Sequence, residues 1–202
     1  MGVNAKELMH TEWASNVILV DVDWLDKVVF DMTVNFERML MRRIPKADLS
    51  QWVDYIALDG GLRPGRNNIQ VLIVYDAGKF ILQNCIPSDL KLELNGKAFN
   101  DNLGEFSFAS FPVETDLVSK EDFMIQCAET LLSEKKVKHL MLVPNMELCS
   151  DGLRHVLKDN KGKDVTLFTL EPVVGFHCTQ EILTYSLLAT LGINSAELDS
   201  VH

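Results

Sequence analysis

Five short apolar runs, spaced along the chain and separated by stretches of helical period, constrain this sequence more than any other feature. Residues 17–20, 69–75, 139–143 and 165–170 are continuous and rich in Val, Ile and Leu, and Phe106, Phe108 and Phe111 mark a further run ending near Pro112. Runs of this length without polar alternation suit strands buried on both faces, as in parallel sheets. Between them lie helical stripes. Leu25, Val28, Val29, Met32, Phe36, Met39 and Leu40 share one face, and Lys27, Asp31, Asn35, Arg38 and Arg42 the opposite one. Pro45 is expected to stop that helix and to open a second one, which carries Leu49, Trp52, Val53, Ile56 and Ala57 and ends at Gly60-Gly61.

The later helices follow the same logic. Ser119 reads as an N-cap with Asp122 three residues on, ahead of the stripe Phe123, Met124, Cys127, Ala128 and Leu131. Further helices are expected over 151–157 and 179–191, with a turn over 160–163 between the first of them and the strand at 165–170. The last helix is apolar nearly all round, so it belongs either in the core or against a partner, and a homodimer is the expected assembly. Residues 88–100 fit two readings equally. Leu90, Leu92 and Leu94 alternate before Asn95-Gly96 as in a hairpin, or they form a short helix capped by Ser88.

Strands alternating with helices imply a single-domain, three-layer α/β sandwich with a mainly parallel central sheet. Residues 1–195 form that domain, and 196–202 read as a flexible acidic tail. At 202 residues, with 47% hydrophobic and 24% charged, the chain can bury one sizeable core and is not disordered. Nineteen basic against 29 acidic residues give a net charge of −10, which disfavours nucleic acid as a partner. Four scattered cysteines form no C-x-x-C pair, residues 1–16 lack a signal-peptide pattern, and no apolar run is long enough for a membrane span. The expected setting is cytoplasmic.

In open α/β sheets, ligands bind beyond the carboxyl ends of the strands. Those ends carry Asp21 and Asp23, Asp76, Asn145 and Glu147, and Glu171. Carboxylates gathered at one rim need a cation or a proton, which suggests Mg²⁺ or Mn²⁺. Capping of the following turns explains the same residues without a metal. Arg42 and Arg43 suit a helix C-terminus, and together with Arg63 and Arg66 they could form an anion-binding strip. No G-x-G-x-x-G, Walker A or G-x-S-x-G motif is present.

Three resemblances follow from these residues. Asp21-Val22-Asp23 behind an apolar strand resembles the opening motif of haloacid-dehalogenase-like phosphatases, which also use a charge-neutralising lysine and a late acidic pair on a strand end; here Glu171-Pro172 stands where such a pair is sought. The order of elements, with the stretch from Lys120-Glu121-Asp122-Phe123 through 140–143 to 165–168, resembles the NYN/PIN-like metal-dependent nucleases. That resemblance implies Asp21, Asp23, Asp122 and Glu147 as the metal-ligand candidates, although Pro144-Asn145-Met146-Glu147 replaces the serine–aspartate motif of the superfamily. Finally, Val20-Asp21-Val22-Asp23, Thr33-Val34-Asn35-Phe36-Glu37-Arg38, Ala57-Leu58-Asp59-Gly60-Gly61-Leu62-Arg63-Pro64-Gly65 and Asp101-Asn102-Leu103-Gly104-Glu105-Phe106 resemble an uncharacterised bacterial family, a domain of unknown function. The preferred expectation is a non-catalytic interaction or assembly module on a degenerate NYN/PIN-like scaffold. Its alternative is a divalent-metal-dependent nuclease or phosphoryl-transfer enzyme.

Overall fold

A computed structural model describes residues 12–160 and 162–199. The expectations placed on residues 1–11, 161 and 200–202 lie outside the described residues. Strand β1 (Asn16–Asp21) is buried along its whole length, as its unbroken apolar run requires. It pairs in parallel with β3 (Asn67–Asp76) on one side and β7 (His139–Val143) on the other. Beyond β3 lies β6 (Gly104–Val113), and beyond β7 lie β8 (Asp164–Thr169) and β9 (Thr179–Ile182), all parallel. Strand β5 (Ala98–Asn100) closes one edge antiparallel to β6. The full order is β5-β6-β3-β1-β7-β8-β9. The chain thus winds outward from β1 through β3 to β6, returns, and winds outward again through β7, β8 and β9.

Alternate side chains of β1 feed two separate cores. Ile18 and Val20 pack with Val28 and Val29 of α1 (Val22–Leu40), Trp52 and Ile56 of α2 (Leu49–Asp59), and Leu187 of α5 (Leu183–Thr190). Val17 and Leu19 pack with Phe123 and Leu131 of α3 (Lys120–Ser133) and Cys149 and Leu153 of α4 (Met146–Lys158). Each such side chain contributes about 1.5–3 kcal/mol by leaving water.

Several boundaries differ from the sequence expectation, each for a local reason. Helix α1 ends at Leu40, where Met41 turns left-handed at φ 51°, ahead of Pro45. Pro45 does not open the next helix. Residues Ala47–Asp48 extend instead as β2, pairing in parallel with β4 (Cys85–Ile86), and Asp48 caps α2 through the Ser50 and Gln51 amides. Neither reading of residues 88–100 is complete. Leu90–Leu94 makes a single π-helical turn capped by Asp89 rather than Ser88, and Asn95-Gly96 then turns the chain into β5. Helix α4 starts five residues before the expected 151, because Asn145 caps it by accepting from the Glu147 amide.

The expected helix over 179–191 divides into two elements. Thr179–Ile182 forms the edge strand β9, and only Leu183–Thr190 is helical. Leu183 and Leu187 of that helix are fully buried in the chain's own core, so the apolar circumference that suggested a homodimer is largely satisfied internally; Tyr185 and Ala189 are exposed. Past it, Ser195–Asp199 forms a short helix, α6, where a frayed tail was expected, and Arg42 donates to Glu197 at 2.7 and 3.0 Å. Among the described residues, no helix is long and apolar enough to cross a membrane.

Candidate functional site at the carboxyl rim

Parallel pairing brings the carboxyl ends of β1, β3, β7 and β8 to one rim, and the chain order reverses between β1 and β7. Asp21 stands at that point. It closes β1 and caps α1, its Oδ1 accepting the Trp24 amide at 3.2 Å. Asp23 lies in the first turn of α1, where a carboxylate suits the helix dipole, and its Oδ2 accepts the Asp76 amide at the end of β3 at 2.7 Å. Lys120, the first residue of α3, then reaches both acids. Its Nζ lies 2.6 Å from Asp21 Oδ1 and 3.0 Å from Asp23 Oδ2. The three side chains are 3%, 10% and 17% exposed, which makes this a buried ion cluster and not a surface pair.

Its electrostatics follow from burial and charge. Burial pushes the Asp21 carboxyl up, outweighing the pull of Lys120. Burial also opposes the charge on Lys120, yet the two carboxylates outweigh it and hold the ammonium above the ordinary lysine range. The neighbouring Cys149 thiol is pushed up to about 12, chiefly by burial and then by the Asp21 charge, so it is no nucleophile at neutral pH.

The model of a family of unknown function, DUF6621, matches residues 10–198. The chain belongs to DUF6621. No curated protein and no solved structure matches it.

In this DUF6621 chain the four expected metal ligands do not form one group. Asp21 and Asp23 share Lys120. Asp122 is exposed on the first turn of α3, its amide donating to Ser119 Oγ at 3.1 Å as the capping reading expects. Glu147 is exposed on the first turn of α4. Among the described residues, no group of three or more His, Cys, Asp or Glu side chains is placed to hold a metal ion. Three of the four anion-strip candidates have local roles. Arg42 binds Glu197, Arg43 lies 3.1 Å from Glu37, Arg63 donates to the Leu58 and Leu62 carbonyls, and Arg66 is exposed.

Two cavities of this family member open on the rim, on either side of the start of α1. One, of about 500 Å³, is lined by Asp23, Asp26, Lys27 and the loop over 78–83. Asp26 is occupied there, accepting from the Gln83 and Asn84 amides and from the Asn84 side chain. The other, of about 390 Å³, lies among Trp24, the start of α4 and the end of β8. Glu147 and Glu171, expected at the rim from the sequence, both line it.

Lys120, Trp24 and Thr169 are site residues that the sequence reading did not single out. One signal for Lys120 was available: a lysine at the first position of a helix opposes the helix dipole and needs compensating carboxylates.

Proposed function

We propose that this protein is a non-catalytic, cytoplasmic interaction module on a doubly wound, three-layer scaffold of the NYN/PIN-like kind, in which the Lys120 ammonium takes the place of a divalent cation between Asp21 and Asp23. The observation that carries the reading is the position of Nζ, 2.6 and 3.0 Å from two buried carboxylates at the point where strand order reverses. One positive charge answers part of the demand that two buried carboxylates make, and burial still holds the Asp21 carboxyl up. A net charge of −10 works against the phosphate contacts a nuclease depends on. Homodimerisation belongs to the proposal as an outcome to be measured by light scattering.

The competing reading is phosphoryl transfer of the haloacid-dehalogenase-like kind, favoured by one specific observation: a lysine does stand beside the Asp21-Val22-Asp23 motif. Against it, β8 ends in Thr169-Leu170-Glu171-Pro172 and β7 is followed by Pro144-Asn145, without a late acidic pair. Titration with Mg²⁺ and Mn²⁺, followed by thermal unfolding and by hydrolysis of a generic phosphomonoester and a phosphodiester, separates the readings. The module reading expects no metal-dependent shift and no turnover in the wild type. It also expects a metal-dependent gain in stability in Lys120→Ala, where the two carboxylates are left for the ion. Metal binding or turnover by the wild type, abolished in Asp21→Asn, overturns it.

A further inference from the structure

We propose that the 390 Å³ cavity beside Trp24 is a recognition slot for a guanidinium group carried on an aliphatic stem, the side chain of arginine. The inference rests on the interaction-module reading and names the chemistry of the partner. Three independent features of the cavity converge on it.

The first is unanswered negative charge. Glu147 and Glu171 line the cavity from two different elements, and both are exposed. Among the described residues, neither carboxylate has an ion-pair or hydrogen-bond partner. Lys27 lies within the field of Glu147, but its ammonium is 2.7 Å from Asp31. The start of α4 is electropositive by its backbone, but Asn145 caps it and Glu147 in the first turn reverses its sign.

The second is the orphaned hydroxyl of Thr169. This residue is 1% exposed, lines the cavity, and its Oγ1 has no hydrogen-bond partner. Leaving such a group unpaired is unfavourable, so an N–H donor that reaches it from the cavity is favoured.

The third is the character of the walls. Trp24 contributes an indole, and Met146 and Leu170 contribute apolar surface. A planar cation stacks on an indole and donates to carboxylates at its edges, while its methylene stem covers apolar side chains. Guanidinium meets all three demands. Ammonium answers the negative charge and can donate to Thr169, but as a compact and strongly hydrated charge it lacks the planar face that stacks on the indole and the fork that spans two carboxylates. The net charge of −10 draws such a ligand in.

The experiment titrates the full chain with capped arginine, its uncharged isostere capped citrulline, capped lysine, and a capped Ala-Arg-Ala-Arg-Ala peptide. It is read by calorimetry and by tryptophan fluorescence. Trp13 and Trp52 are buried, so a fluorescence change reports on Trp24. Capped arginine is expected to bind saturably, with citrulline weaker by about tenfold and lysine intermediate. Glu147→Gln and Glu171→Gln, both at exposed positions, are each expected to weaken arginine severalfold without moving the melting temperature, and Thr169→Val to weaken it further. A peptide that binds more tightly than the capped amino acid identifies a protein segment as the source of the group; equal affinity identifies a free guanidinium metabolite. Equal titration by arginine and citrulline, or unchanged affinity in the Glu147→Gln/Glu171→Gln double variant, overturns the proposal. Metal binding by the wild type overturns the module reading whether or not arginine binds, so the two failures are distinguishable.

Discussion

Lys120 holds two carboxylates that could not otherwise share a buried rim. Replacing it by Met leaves Asp21 and Asp23 uncompensated, and the expected loss at pH 7 is about 3–5 kcal/mol, read from urea unfolding. Adding Asp21→Asn to that variant is expected to recover part of the loss, and a double-mutant cycle measures the coupling. A raised lysine pKa stabilises the fold below the unfolded value near 10.4 and ceases to do so as pH climbs through the folded one. The wild type is therefore expected to lose stability at strongly alkaline pH more steeply than Lys120→Met. A pair of acids behaves in the same sense in a lower pH window. Asp54 of α2 is pushed up to about 6 by burial and by the neighbouring Asp101 carboxylate. Its folded-state pKa exceeds the unfolded one, so the proton it holds at pH 5 is lost by pH 7.5 and stability falls across that interval. The expected fall is on the order of 1 kcal/mol for this partly exposed pair, and Asp54→Asn should flatten it.

At the scale of elements, the strands were the legible part of the sequence, because continuous apolar runs allow few alternatives: β7 has the predicted bounds and β1, β3, β6 and β8 differ by a few residues. Helix starts were legible where Ser119 announced one, and were missed at Asp48 and Asn145, whose side chains are equally good caps but lie in stretches that also read as loops. Strand β9 reads as helix in the sequence because Thr179–Ile182 runs directly into α5 without a turn, and only pairing with β8 separates the two. The rim was partly legible: Asp21, Asp23, Glu147 and Glu171 follow strand ends in the sequence, whereas Lys120 and Thr169 acquire their meaning only when distant elements meet. Gly104 shows how tightly such meetings are set. It opens β6 at φ 143°, and a Cβ there would lie 2.1 Å from the Asn67 carbonyl oxygen at the start of β3. Gly104→Ala is expected to cost roughly 2–4 kcal/mol, measured by denaturant midpoint.

Across the whole molecule, two cores share one sheet, so damage to either is felt by both. Leu19→Ala empties space beneath α3 and α4, and Ile18→Ala beneath α1 and α2. Each is expected to cost about 2–5 kcal/mol and to leave a single cooperative transition, coincident by circular dichroism and fluorescence. Strand β1 explains why. It is made first among the strands of the sheet, yet one of its two neighbours comes from the first winding and the other from the second. During synthesis, then, the innermost ribbon of the protein stands with one flank bare until β7 has emerged. A partly made sheet of β1, β3 and β6 therefore presents the β1 backbone as an unpaired edge, the kind of surface that recruits foreign strands.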